Sequence, residues 1–401
     1  MVIKDCWCIY ILDSKGFNTV EVGITLENGV TTHGAAPRGS TTGHFDVKYF
    51  EQMREESRFS PILDGNQEYF DLVIKPFLLD RNIEDIKIIE GLIDGLPDID
   101  HYGNLKVALS YAIWKALSSL KKIPMWKLFN PEKANVGKVK YLVNIFDGHS
   151  ESHLKGIEFL LLSKKNISYE TLNEISMIKE NLKMLWHKKG FITTISNQGA
   201  VSVKTDNFNL IVEVIRKAVF DTVGDSDNYS YGLDLAMTDC YDEEQQLYFA
   251  PWTKGQAIKT EHLIRTYVDW IERYHITYFE DLFSDVDYES WKKFKKLKIP
   301  NVRIFGDDFF ATNLSRLREL YRYADGIVIK PNQIGSISDT LETISFAIDK
   351  KIQLAFSQRT SETDDLIISH LAMSNENAYL KAGGLERLDR VEKYNEVLRY
   401  D

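Results

Sequence analysis

The stretches VRIFGDD at residues 302–308 and GIVIKPNQIG at residues 326–335 decide the fold of this chain. Each begins with a short apolar run rich in β-branched residues and stops abruptly at a polar side chain, Asp307 in the first and Lys330 in the second. A helical pattern lies between them, and strands that alternate with helices are typical of a parallel sheet. We therefore predict two successive strand–helix units here.

The same pattern recurs in ITTISNQG, YGLDLAM, ITYFEDLF, IQLAFSQRTSE and AYLKAGG. Most of these runs are separated by roughly 25–30 residues, the length of one unit in an eight-stranded barrel of ~250 residues. Catalytic groups in such barrels lie at the C-terminal ends of the strands. We therefore predict an α/β fold with a modified (β/α)8 TIM-type barrel, whose C-terminal mouth gathers the polar residues that end the runs, namely Gln198, Asp234, Glu280, Asp307, Lys330, Arg359 and Lys381.

The first third of the chain has a different pattern of apolar and polar residues. CWCIYILD and TVEVGITL read as strands joined by the turn DSKGFN, and residues 48–122 show apolar positions at helical spacing. Prolines follow, and we place the boundary near residues 125–140. The prediction is a small α+β N-terminal domain over residues 1–130 and a barrel over residues 131–401.

Composition limits the classes of partner. The 401 residues carry a net charge of -10 and are 44% hydrophobic, as in an ordinary globular protein. The negative charge argues against binding to nucleic acid or to an anionic membrane. The N-terminus lacks the features of a signal peptide, and no apolar run reaches the ~18 residues of a membrane span. We expect a cytoplasmic protein, and the acidic mean does not exclude a small anionic substrate, because local cations or a metal can override it.

Two weaker signals have structural explanations. Cys6 and Cys8 alternate on a predicted strand, which favours buried thiols over a metal site, and three cysteines are too few for a disulfide framework. His149 and His153 have the spacing of zinc ligands on a helix, but the surrounding glycine and serines favour a loop.

Three carboxylates that follow predicted strands, those of Asp234, Glu280 and Asp307, would repel one another at the mouth without a counter-charge. A hard cation, above all Mg²⁺, suits oxygen ligands of this kind, and the alternative is exposed carboxylates or helix caps. Lys330 and Lys381 also end strands. A lysine whose pKa is lowered by desolvation can act as a general base, and the alternative is an ion pair with a metal-site carboxylate.

Arg359 and Thr360 follow the strand LAFSQ. A guanidinium beside a hydroxyl suits a phosphate or a carboxylate, and the alternative is a structural ion pair.

These motifs resemble the enolase family over nearly the whole chain. DSKGFNTVEV is similar to its DSRGNPTVEV, APRGSTTG to its lid loop PSGASTG, and SQRTSETDD to its SHRSGETED. GLDLAM, FEDLF and FGDD resemble its metal-ligand strands, IKPNQIG its catalytic-lysine segment, and LKAGGLERLDRVEKYNEVLR its C-terminus. The resemblance implies a small α+β domain before a modified barrel, two magnesium ions and a homodimer.

The resemblance also implies a role for each matching residue. Asp234, Glu280 and Asp307 would bind the first magnesium, and Thr41 would replace the lid serine near the second. Lys330 would remove the proton α to a carboxylate, and Lys381 would hold that carboxylate. Arg359 and Thr360 would hold a phosphate, and Glu158 matches the glutamate of the family's QEFM segment.

Four positions depart from the family. The acidic glutamate of its GDEGG segment is replaced by Gln198, and a carboxamide cannot deliver a proton as a carboxylic acid does. The histidine of SHRSGE is replaced by Gln358, and the loop histidine of NGGSHAG by Glu151. Arg38 replaces a small lid residue and could receive an additional anionic group.

The leading hypothesis is a specialised enzyme that acts on phosphoenolpyruvate, 2-phosphoglycerate or a phosphonate analogue through a metal-stabilised enolate, with impaired hydratase chemistry. A variant like carboxyphosphonoenolpyruvate synthase, an enolase relative of phosphonate biosynthesis, fits the altered leaving-group end. The second hypothesis is an ordinary phosphopyruvate hydratase in which Glu158 or Glu151 takes the acid role. The third is a non-catalytic binding scaffold, which the intact set of charged residues argues against.

Overall fold

The computed structural model describes residues 1–39, 44–47, 63–224 and 227–400. Its N-terminal part opens with a three-stranded antiparallel sheet in the order β1-β2-β3. The bounds of these strands are β1 Ile3–Leu12, β2 Asn18–Leu26 and β3 Thr31–Ala35. The strands and turn predicted from residues 6–26 are therefore confirmed, and both Cys6 and Cys8 are buried free thiols as expected.

Helices then cover one face of this sheet, with a π-helical turn at Phe70–Ile74 between the first two. A Cβ atom at Gly34 would lie 2.4 Å from the carbonyl oxygen of Ala108, so only glycine allows the strand and helix backbones to approach this closely. The helices are α1 Leu63–Tyr69, α2 Lys75–Leu78, α3 Ile86–Ile93, α4 Gly103–Lys121 and α5 Met125–Phe129.

The rest of the chain contributes twelve more strands among the described residues. They are β4 Lys140–Gly148, β5 Glu158–Asn166, β6 Thr193–Ile195, β7 Val201–Val203, β8 Tyr229–Asp234, β9 Tyr241–Asp242, β10 Leu247–Tyr248, β11 Ile276–Glu280, β12 Arg303–Gly306, β13 Gly326–Ile329, β14 Gln353–Ser357 and β15 Tyr379–Lys381.

Eight of these strands close a barrel in the order β4-β5-β8-β11-β12-β13-β14-β15, and β15 pairs back with β4. The predicted modified TIM-type barrel is thus confirmed. The modification is β5, which runs antiparallel to both of its neighbours. Because β5 is reversed, its first residue, Glu158, lies opposite Asp234, the last residue of β8, at the C-terminal mouth.

One predicted barrel strand is wrong. The run ITTISNQG does not enter the barrel, because β6 pairs only with β7 as a hairpin that is attached to the edge of β4. Gly199, at φ +80°, closes the hairpin turn, and Gln198 lies in that turn. The turn residues Ser196–Gly199 are themselves a hairpin signal, and they outweigh the apolar run before them.

The barrel helices are held at their N-termini by polar side chains. Ser168, Asn207, Asp287, Asn313 and Ser336 each accept a backbone N–H bond at the start of a helix. The helices are α6 Tyr169–Lys188, α7 Phe208–Val223, α8 Thr260–Tyr274, α9 Tyr288–Lys295, α10 Leu314–Leu320, α11 Pro331–Ile334, α12 Ile337–Asp349, α13 Ile367–Met373 and α14 Leu388–Leu398.

A compact apolar layer fills the barrel interior below the mouth. Glu280 points into the mouth directly above this layer, and it accepts a 2.8 Å hydrogen bond from the buried Tyr278 hydroxyl. This close-packed apolar layer therefore lies directly beneath the charged residues of the mouth. Its side chains are Leu142, Leu160, Leu162, Tyr278, Phe305, Val328 and Ala355.

None of the helices in the described ranges is both long enough and apolar enough to cross a membrane.

Candidate active site

A buried lysine lies at the centre of the barrel mouth. The Lys381 ammonium lies 2.6 Å from Asp234, 2.7 Å from Glu280 and 3.2 Å from Glu158. Although burial opposes the charged form, these three carboxylates hold the pKa of Lys381 well above its ordinary value. Lys381 therefore carries a positive charge that these carboxylates stabilise.

Lys330 forms the second ion pair of the mouth. Its ammonium donates a short hydrogen bond to Asp307, which also accepts a 3.0 Å bond from the Gln333 amide. Burial is the largest single influence and lowers the pKa of Lys330, but the Asp307 and Glu280 carboxylates together raise it above its ordinary value. The lowered pKa expected from desolvation is thus not found in this structure, because the lysine and its carboxylate partner are buried together.

Negative charge exceeds positive charge around these two lysines. Oxygens of Asp281, Asp307 and Asp308 lie within 4.8 Å of one another, and burial with mutual repulsion raises the pKa of Asp281 and of Asp308 well above the ordinary range. Hard oxygen donors with uncompensated charge fit a divalent cation such as Mg²⁺. This group shares Asp307 with the predicted ligand set, whose other members, Asp234 and Glu280, face Lys381.

Arg359 lies beside the carboxylates of the mouth and forms an ion pair with a further carboxylate, that of Asp46. Its guanidinium lies 3.2 Å from Asp46, which belongs to the short described segment 44–47. Both side chains are almost fully buried. The neighbouring Thr360 carbonyl accepts a bond from Arg390. Arg359 therefore forms an ion pair, which was the alternative to phosphate binding. The Asp46 carboxylate lies where a phosphate was predicted.

Gln198 belongs to a chain of amide contacts. Its Nε2 donates to Glu158 at 2.5 Å, and its Oε1 accepts from Gln358, which in turn accepts from the buried Arg390. Each of the two glutamines accepts a hydrogen bond from one neighbour and donates one to the next. The two glutamines that replace acid and histidine therefore fix each other and orient Glu158.

A further carboxyl lies behind Glu158, and the sequence analysis did not predict it. Asp147, near the end of β4, lies directly opposite Glu158 on β5 and accepts a 2.6 Å bond from Asn144. Burial and the Glu158 carboxylate raise the pKa of Asp147 to about 7, although bonds from Ser196 and Asn144 oppose the shift. The sequence signal that could have identified it is a carboxyl at the end of an apolar strand, YLVNIFD.

Three other predicted residues lie away from the lysine cluster or outside the described residues. Glu151 is two-thirds exposed and pairs with Lys204 at 2.7 Å, so the structure does not bring it to the mouth. The Arg38 backbone pairs with Ser361, and its guanidinium lies over the Phe17 ring. Thr41 lies outside the described residues.

His149 and His153 lie in a loop, as the neighbouring glycine and serines predicted, so the helical zinc spacing does not apply.

The chain has an N-terminal α+β unit and a closed barrel with a reversed second strand. Paired lysines and carboxylates gather at the C-terminal mouth of the barrel, where the active sites of barrel enzymes lie. The family model "Enolase, N-terminal domain" matches residues 3–129, and "Enolase, C-terminal TIM barrel domain" matches residues 140–401. Proteins called enolase from the Gardel and Welgevonden strains of Ehrlichia ruminantium are 30% identical over 406 residues, which covers 97% of this chain and 93% of each relative. The chain belongs to the enolase family.

Membership supports an enzyme of the enolase superfamily, of the carbon–oxygen lyase type. The family uses magnesium in general and binds small phosphorylated substrates, and the acidic groups at the mouth are candidates for the cation.

Proposed function

We propose that this protein is a Mg²⁺-dependent enzyme that acts on 2-phosphoglycerate, phosphoenolpyruvate or a close phosphonate analogue through an enolate. The observation that carries the proposal is the convergence of Lys330, Lys381 and Arg359 on one barrel mouth lined by carboxylates. A base, a fixed cation and a phosphate-binding group are the parts that α-proton abstraction from a phosphorylated carboxylic acid requires.

Each group has a separate task. Lys330 accepts the α-proton as a neutral amine, so it must first give up its ion pair with Asp307. Lys381 holds the substrate carboxylate, since its charge is fixed by its own partners. Arg359 holds the phosphate after exchanging Asp46 for it. Magnesium, when bound at Asp234, Glu280 and Asp307, supplies positive charge that favours the enolate.

The leaving-group end supports impaired hydratase chemistry. The carboxamide of Gln198 is committed to Glu158 and Gln358, and it has no acidic proton to give to a departing hydroxide. General acid catalysis is worth roughly 10²–10⁴-fold, so dehydration is expected to be slower by up to that factor. A better leaving group or an incoming electrophile, as in a reaction like that of carboxyphosphonoenolpyruvate synthase, avoids this need.

A second candidate is ordinary phosphopyruvate hydratase activity with a rearranged acid. The 2.5 Å contact between Gln198 and Glu158 favours it, because Glu158 then occupies the place next to the missing acid. Proton transfer by Glu158 in place of residue 198 would preserve dehydration.

One pair of assays separates these candidates. The protein is incubated with 2-phosphoglycerate and Mg²⁺ in deuterated water, and α-proton exchange is compared with phosphoenolpyruvate formation. Exchange well ahead of dehydration supports the impaired enzyme, whereas equal rates support the ordinary hydratase. The absence of both would reject an enolate on this substrate, and the assay would then be repeated with phosphonate analogues.

Family resemblance also supports a cytoplasmic homodimer. Analytical ultracentrifugation at micromolar concentration tests the oligomeric state, and a monomer would reject the homodimer.

A further inference from the structure

Asp147 is a buried ionisable group at the mouth that the proposed reaction does not use. It is 8% exposed, and the strand register places it opposite Glu158, so the two side chains share one face of the sheet. Both neutral contacts of Asp147 are donors, Asn144 from its own strand and Ser196 from the hairpin. The charged groups that face it are Glu158 from β5 and Lys381 from β15.

The contacts of Glu158 differ between its two oxygens. Its Oε1 accepts the Gln198 amide, and its Oε2 faces the Lys381 ammonium at 3.2 Å without a hydrogen-bond partner among the described residues. Burial and the neighbouring Glu158 carboxylate raise the pKa of Asp147 to about 7. Near neutral pH Asp147 is therefore partly protonated.

The hairpin also connects Asp147 to position 198. The Ser196 hydroxyl accepts the backbone N–H groups of Gln198 and Ala200, each at 3.2 Å, and its own proton is directed at Asp147. The Asn144 Oδ1 is buried and has no hydrogen-bond partner among the described residues. The leaving-group end is thus lined by three neighbouring side chains, those of Asp147, Glu158 and Gln198.

We propose that Asp147 is the proton reserve of the leaving-group end, acting through Glu158 in place of the acid missing at position 198. The inference rests on the second candidate of the proposed function, in which Glu158 acts as the acid. In dehydration the C–O bond breaks and its electron pair stays on oxygen. Glu158 first takes the Asp147 proton and then gives it to that oxygen, and water leaves. Lys330 then returns the α-proton to solvent, and Asp147 regains a proton from solvent.

Asp147 does not touch the substrate in this scheme and is a positioning residue. Its effect is therefore confined to the second half of the reaction. The α-proton is removed by Lys330 from the other side of the mouth, so exchange of that proton should be independent of Asp147.

The first test needs no substrate. The wild-type protein labelled with ¹³C-aspartate is titrated by infrared difference spectroscopy, and a protonated carboxyl that ionises near pH 7 is expected. Asp147→Asn should lose this component of the signal, and Asp206→Asn should retain it, a control that removes an exposed carboxylate beside the neighbouring loop. A wild-type spectrum without such a carboxyl overturns the inference, and so does a titration of Asp147→Asn that is identical to that of wild type.

The second test follows the reaction with 2-phosphoglycerate and Mg²⁺. We expect Asp147→Asn to lower dehydration at least tenfold and to remove the decline in dehydration rate that accompanies loss of the proton near pH 7. The rate of α-proton exchange should stay within twofold of wild type. Equal loss of exchange and dehydration, or no loss of either, rejects the role. If wild type exchanges no α-proton, the proposed function fails, while the infrared titration still decides whether Asp147 holds a proton.

Discussion

The Arg359 guanidinium lies 3.2 Å from the Asp46 carboxylate, and both side chains are buried against the barrel mouth. Burial raises the pKa of Asp46, while Arg359 opposes that shift. The Asp46 carboxylate thus forms an ion pair with the arginine that we propose binds the substrate phosphate. An anionic ligand must displace it, and the energy of the ion pair is subtracted from binding.

Asp46→Asn is therefore expected to strengthen phosphate binding severalfold, because it removes the Asp46 charge that competes with phosphate for Arg359. Calorimetric titration with inorganic phosphate measures the change. Asp242→Asn, which removes a carboxylate on β9, serves as the matched control and should bind like wild type. Weaker binding in Asp46→Asn would instead make Asp46 a structural support for Arg359.

Asp307→Asn is expected to weaken magnesium binding at least tenfold. Ligation of a hard cation depends on charged oxygen donors, and this residue is common to the predicted ligand set and to the observed acidic group. Isothermal titration with Mg²⁺ is the measurement, and Asp221→Asn on α7 is the charge-matched control. Unchanged affinity would rule out the proposed metal site.

Lys330→Ala is expected to abolish exchange of the substrate α-proton with deuterated solvent, because no other amine takes its place beside Asp307 among the described residues. Binding of 2-phosphoglycerate should persist through Arg359 and Lys381. Nuclear magnetic resonance of the α-position follows exchange, and Lys217→Ala on α7 should exchange normally. A variant that exchanges at the wild-type rate would place the base elsewhere.

Gln198→Glu is expected to raise 2-phosphoglycerate dehydration, since it restores a carboxyl at nearly constant volume. The gain should be partial, because Gln358 and Arg390 now hold position 198 as an acceptor. Phosphoenolpyruvate absorbance follows the rate. Wild-type turnover of order 10–10² s⁻¹, as for typical enzymes, would contradict the impaired chemistry.

The free energy of unfolding should depend on pH through the protonation of Asp147. The folded chain raises the pKa of this carboxyl from 3.8 to about 7, so it binds the proton more tightly than the unfolded chain does. Stability relative to Asp147→Asn should therefore fall as pH rises from 3.8 to about 7 and be constant above that. Urea unfolding of both proteins across this range measures the difference, and a difference that does not vary with pH would contradict the raised pKa.

Much of this fold could be predicted because apolar runs of strand length ended in polar residues at regular intervals. The ends of β8, β11, β12, β13, β14 and β15 all lie at the predicted mouth. The reversed β5 could not be predicted, since local sequence carries the strand pattern and not the strand direction. The hairpin that contains Gln198 was mistaken for a barrel strand for a related reason: an apolar run does not specify its pairing partner.

The residue types at the mouth were predicted more accurately than the ion pairs that they form. Lys330 and Lys381 were expected at the mouth, but their pairing with Asp307, Asp234 and Glu280 depends on distances that strand spacing does not contain. Asp46 and Asp147 were missed because each acquires its importance through a contact with a residue distant in sequence or across a strand pair.

The reversed β5 has a consequence for how such a site can change. Asp147 and Glu158 lie on adjacent strands joined by a single loop, so one contiguous stretch of chain encodes both. The candidate cation ligands, by contrast, come from three separate strands. A single local replacement of the β4–β5 segment can therefore exchange the half of the site to which we assign proton transfer, while the half to which we assign the cation stays unchanged.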